Sequence, residues 1–253
     1  ELPHSGQIYI DLVEELRIPR LLKREDSYRI EVKLELPTSQ GFGMSAAGLV
    51  AVARAFRTLS KKGTDEQFLR LAHRVERMHG SGLGDVLGIS AQGVELRLEP
   101  GAPGAGGKVV SLTTHQPLLL VWKPDESRHT STYIDDEGWQ RSISKAGERS
   151  VSRLRLKEWN FERWADLMLE SRNFAEASGL LNEEVRKDLL SKVQKEILRL
   201  DYQARLNVRL CMLGVSVSIL PRRLEEPLLE QEMDDIADAL RAMGLGVRKT
   251  TIR

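Results

Sequence analysis

The 253-residue chain has a single cysteine, Cys211, so no intramolecular disulfide can brace it, and a reducing compartment suits it. It also lacks an excess of either charge. Its 38 Lys and Arg stand against 37 Asp and Glu, a net charge of +1, which removes the electrostatic case for a nucleic-acid partner. No apolar run is long enough to span a bilayer, and no signal-peptide pattern is present. Repeats and low-complexity tracts are missing as well. A cytoplasmic protein without a membrane or nucleic-acid partner is the expectation, long enough for one large or two modest domains that each bury a core.

The apolar spacing supplies the elements. Gln7 to Val13 reads as a strand, followed by a charged connector to Glu25. Tyr28 to Leu36 alternates, with Ile30, Val32, Leu34 and Leu36 on one face, and reads as a second strand. Leu49 to Leu59 carries helix formers and no breaker. Thr64-Asp65-Glu66-Gln67 has the form of a helix N-cap and acidic first turn, and a helix to about Met78 follows. Gln92 to Glu99, Val109 to Leu112 and Pro117 to Trp122 read as strands, with a Gly/Pro turn tract at Pro100 to Gly107. Helical periods dominate from Asp135 to about Arg209. Val215 to Leu220 and Gly246 to Ile252 are strands flanking a helix over Glu225 to Met243. A strand-rich first half and a helix-rich second half predict an α+β fold of two lobes, divided into 1–115 and 116–253.

The most informative stretch is Pro37 to Gly48, Pro-Thr-Ser-Gln-Gly-Phe-Gly-Met-Ser-Ala-Ala-Gly. It joins a predicted strand to the start of a predicted helix through a glycine-bearing loop. In that geometry, backbone N–H groups and the positive helix end attract phosphate. Gly41 and Gly43 permit unusual dihedral angles and close approach of a ligand, and Ser45 offers a hydroxyl to a phosphate oxygen or a metal. An ordinary strand–turn–helix accounts for the same residues. The loop lacks the Gly-Lys-Ser/Thr ending of the Walker phosphate loop and the glycine spacing of the dinucleotide fingerprint.

The stretch resembles the second motif of the GHMP small-molecule kinases, Pro-x-x-x-Gly-Leu-Gly-Ser-Ser-Ala. Pro37, Gly41, Gly43, Ser45 and Ala46 fall in register, while Phe42 and Met44 replace the Leu and the first Ser. Further on, Glu76, His79-Gly80, Gly82 and Asp85 follow the order in which that family carries a metal-binding Glu and a catalytic Asp. Gly41 to Ser45, Gly82 to Val86, Ala91 to Gly93, Pro100 to Gly104 and Thr130 to Thr132 resemble its archaeal branch acting on pantoate. The resemblance implies a ribosomal S5 domain-2-like lobe and a ferredoxin-like lobe, with ATP and Mg²⁺ as cofactors and pantoate as small-molecule substrate. It implies nucleotide contacts from Pro37, Gly41, Gly43, Met44, Ser45 and Ala46, Mg²⁺ ligation by Ser45 and Glu76, and substrate contacts from Gly84 and Thr132. Asp85 is the implied catalytic carboxylate, which orients or deprotonates the acceptor hydroxyl. The N-terminal segment with the family's first motif is expected to be absent. The third motif is thinned to Met212-Leu213-Gly214-Val215-Ser216.

For each residue a plainer role competes: a solvated helix charge for Glu76, a cap for Asp85, and helix capping for Thr130, Ser131 and Thr132. Arg97, Lys123 and Arg128 are candidates for a substrate carboxylate. Cys211 is expected to be a small buried apolar residue, and His79 to orient its loop. Mevalonate or homoserine as acceptor, or a binding module without catalysis, remain alternatives, and a homodimer is the assembly left open.

Overall fold

The computed structural model describes residues 6–82, 84–128 and 131–252, and for 131 and 134 the backbone alone. The chain forms two compact units. The first comprises 1–38 and 42–110; the second comprises 39–41 and 111–253.

The first unit is largely helical. Gln7–Arg17 forms α1 rather than a strand. Its buried Tyr9, Leu12, Val13 and Leu16 recur at helical spacing, a period that a window ending at Val13 truncates. The alternation over 28–36 is real, with Tyr28, Ile30 and Val32 packed on the core and Arg29, Glu31 and Lys33 exposed. No strand ladder forms there among the described residues, so the predicted strand is an extended segment laid on helices. Met44–Ser60 forms α2, which buries Leu49, Val50, Val52, Ala53 and Phe56. Asp65–Met78 forms α3, entered through the predicted Thr64 cap. The Gln67 N–H donates to Thr64 Oγ1 at 3.2 Å and the Thr64 N–H to Gln67 Oε1 at 3.0 Å.

Two elements close this half. Asp85–Ala91 is a short helix, α4, over a span to which the apolar spacing assigns no element. Val94–Glu99 (β1) and Lys108–Leu112 (β2) pair as a two-stranded sheet. The first half is therefore not strand-rich. Its aliphatic runs bury helix faces instead.

The second unit is built on a four-stranded antiparallel sheet. Its strands are Pro117–Trp122 (β3), Leu206–Cys211 (β4), Ser216–Pro221 (β5) and Gly246–Thr251 (β6), in the order β4-β5-β3-β6. Leu119 and Val121 of β3 are fully buried, as their position between two partner strands requires. β4 falls inside the span expected to be helical, because Leu206, Val208 and Leu210 form too short an alternation to stand out after a long helix. Helices Ser131–Ile134 (α5), Glu137–Leu154 (α6), Trp164–Ala177 (α7), Glu184–Arg199 (α8) and Glu230–Ala242 (α9) complete the unit. Leu189, Val193 and Ile197 of α8 and Met233, Ile236 and Leu240 of α9 pack on the sheet. The chain as a whole is a mixed α and β fold, as expected.

Candidate functional site

The N-terminus of α2 is left open. Gly43 is its N-cap at φ 66°, in the left-handed region, and no side chain caps the helix. The first intrahelical bond runs from the Ala47 N–H to Gly43 O, 2.9 Å. The N–H groups of Met44, Ser45 and Ala46 therefore have no partner within the helix. A 17-residue helix with such an end presents donors and a partial positive charge to an anion.

Asp85 faces the same glycine. A methyl group placed on Gly43 would lie 4.0 Å from Oδ2 of Asp85. Three groups hold this carboxylate. Gly84, left-handed at φ 97°, starts α4 so that Asp85 is its first residue. The Asp85 N–H, unsatisfied by the helix, donates to Oε1 of Glu76 at 2.9 Å. The Arg97 guanidinium donates through Nη1 to Asp85 Oδ1 at 3.2 Å.

Glu76 is fully buried on α3, which removes the reading of a solvated helix charge. Its second oxygen lies 3.1 Å from Nδ1 of His73, one helical turn earlier. The carboxylate needs room on the other side, and Gly82 provides it: a methyl there would overlap Glu76 Oε1 and lie 3.1 Å from Asp85 Oδ2. Arg97 also donates through Nε to Glu95 Oε1 at 2.9 Å, its neighbour on the same face of β1. Burial alone pushes the Arg97 guanidinium down, but the Glu95 and Asp85 carboxylates outweigh it and raise it above its ordinary value. The cation beside Asp85 is permanent.

Gly43, Gly82, Gly84, Glu76, His73, Asp85 and Arg97 thus form one cluster in the first unit. Ser45 and buried Ala46 occupy the first turn of α2 beside it, with Met44 half-buried at its start. Among the described residues no group of three or more His, Cys, Asp and Glu could cage a metal. A lean set of hard oxygens fits Mg²⁺, which takes one or two protein ligands and keeps waters and phosphate oxygens.

Other expected residues do other things. Pro37 is half-buried in the segment entering the loop. Gly41 belongs to the second unit, where a side chain would overlap the Met212 carbonyl. Gly214, from the thinned third motif, meets the backbone of Gln40 and Gly41 as closely. These two glycines serve backbone-to-backbone packing. Thr132 is exposed on α5. Thr130 lies outside the described residues, as does the Ser131 side chain. Lys123 lies 3.8 Å from Glu126, and Arg128 contacts Glu126 and Glu183, while Arg97 stands at Asp85. His79 pairs with Asp11 on α1 at 2.6 Å. His73 was not singled out from sequence, although it stands three residues before Glu76, on the same helix face.

The chain is similar to several known proteins. Residues 9–93 match the family described as GHMP kinases N terminal domain. The chain is 33% identical over 202 residues to the pantoate kinase of Thermococcus kodakarensis, covering 80% of this chain and 62% of that one. It is 28% identical over 229 residues to the pantoate kinase of Methanospirillum hungatei, covering 90% and 68%. A solved structure described as a phosphotransferase related to the CoA biosynthesis pathway superposes with a TM-score of 0.72 and 26% identity, covering 98% of this chain and 73% of that one. The chain thus spans about three fifths of the Thermococcus relative's length.

Proposed function

We propose that the chain is a GHMP kinase, whose N-terminal domain its residues 9–93 match, and that it transfers a phosphoryl group from ATP to the primary hydroxyl of (R)-pantoate. The observation that carries this is the Asp85 carboxylate, set at the head of α4, anchored by Glu76 and Arg97, and facing the glycine that opens α2.

In this proposal the free N–H groups at the start of α2 bind phosphate oxygens, with the Ser45 hydroxyl beside them. Glu76 and Ser45 are the proposed Mg²⁺ ligands, the metal neutralising charge on the triphosphate when bound. Asp85 accepts a hydrogen bond from the acceptor hydroxyl and takes its proton as transfer proceeds. Arg97 keeps the carboxylate aimed, and its remaining donors suit a carboxylate on the acceptor. Gly84 leaves space for that acceptor, and Thr132 is retained as a proposed substrate contact. The 33% identity with a pantoate kinase supports the choice of acceptor.

The test is a panel assay. Purified protein with ATP and Mg²⁺ is offered pantoate, mevalonate and homoserine, and phosphorylated product is measured. Transfer to pantoate at a kcat/KM at least tenfold above the other two is expected. Transfer to another acceptor would replace pantoate but keep the kinase, whereas no ATP binding by calorimetry would remove both.

A further inference from the structure

The second unit contains a cavity of about 510 Å³ along the outer edge of β4, beneath α7 and α8. Its volume lies within the range of sites for small molecules. Three arginines line it: Arg172, Arg209 and Arg222. Glu176 is the one carboxylate on the lining, and it already pairs with Arg172 at 2.8 Å.

Arg209 is half-buried and donates only to neutral acceptors: Met168 O at 2.7 Å, Val208 O at 2.8 Å and Asn207 Oδ1 at 3.3 Å. Arg222 donates to Gln203 O at 2.9 Å. Among the described residues neither makes an ion pair with a carboxylate. Burial, and then the charges of Arg172 and Arg222, push the Arg209 guanidinium below its ordinary value. Like charges gathered at a partly desolvated hollow destabilise one another, and a bound anion relieves this. The remaining wall is apolar, with Ala175, Leu181 and Leu190 on it.

We propose that this cavity binds a small organic anion, a carboxylate or phosphate ester carrying a short apolar chain. The guanidinium groups of Arg209 and Arg222 engage the anionic head, and the aliphatic wall covers the tail. The inference is independent of the kinase assignment, since every residue in it lies in the second unit.

The experiment is an NMR titration of the full chain at constant ionic strength, following arginine Nε–Hε signals assigned through Arg209→Gln and Arg222→Gln. Hexanoate, n-butyl phosphate and inorganic phosphate are the probes. Hexanoate or n-butyl phosphate is expected to move both signals saturably, and the stronger of the two identifies the head group. Arg222→Gln, at an exposed position, is expected to weaken that probe at least tenfold, and it serves if Arg209→Gln does not fold. Signals that move equally with sodium chloride, an affinity unchanged in Arg222→Gln, or inorganic phosphate binding as tightly as the ester would each overturn the proposal.

Discussion

At the scale of single residues, Asp85 and Gly82 separate the proposed chemistry from its support. Asp85→Ala is expected to lower kcat by roughly a hundredfold or more while sparing ATP affinity, a split that steady-state kinetics with calorimetry can read. Gly82→Ala tests the support. The added methyl overlaps Glu76 Oε1, and displacing that carboxylate frees the Asp85 N–H it holds. A misplaced carboxylate costs turnover without removing any reacting group, so kcat is expected to fall about a hundredfold. A Gly82→Ala enzyme with wild-type kcat would show that the Glu76 bond is not needed to place Asp85. Cys211 offers a test unrelated to catalysis. The residue is only partly covered, yet burial of its thiol pushes its pKa up to about 11, against the hydrogen bonds of Ser216 and Ser218. A raised thiol pKa means that folding favours the protonated form. Its stabilising contribution is therefore complete below the unfolded thiol's value and is lost as pH climbs toward 11. Alkylation of native protein by iodoacetamide at pH 8 is expected to be much slower than in denaturant. Asp85 was legible in the sequence because it follows Glu76, His79-Gly80 and Gly82 in an order that resembles the GHMP kinases. His73 was not, since a lone histidine on an amphipathic helix gives no sign of the buried carboxylate it meets.

At the scale of elements, legibility followed the length of the pattern. α3 could be read from its ends, with Thr64 and Gln67 bonded reciprocally as a cap of that composition predicts. The cap also secures the helix that carries His73 and Glu76. Thr64→Ala is expected to cost about 1 kcal/mol in denaturant unfolding, with kcat unchanged if the loss stays at the exposed end. α4 escaped because seven residues beginning among glycines carry less than two turns of period. α1 was mistaken for a strand, and 28–36 was credited with a ladder. Alternation reports which side chains face a core, and it cannot reveal whether another strand lies alongside.

At the scale of the whole molecule, composition excluded more than it specified, and the mixed α and β class was legible from the succession of elements. The sheet order β4-β5-β3-β6 was not, because pairing across sequence distance leaves no mark on either strand. The two inner strands, β3 and β5, carry much of the burial. Leu119→Ala, at a fully covered position in the largest core of the second unit, is expected to cost 2–5 kcal/mol, about what a large cavity costs elsewhere. Thermal unfolding followed by circular dichroism would register the loss.

Residues 39–41 make the second unit discontinuous in sequence. Ser216 donates its hydroxyl to the Gln40 carbonyl, and the Gln40 side-chain amide donates to the carbonyls of Lys123 and Glu126. A fragment starting at residue 111 would be born without that plug, leaving the Ser216 hydroxyl and two main-chain acceptors to find water. Expressed alone it should melt well below the parent protein, and a synthetic peptide spanning the missing tripeptide should recover part of the difference. No single cut in the gene liberates this half of the molecule whole.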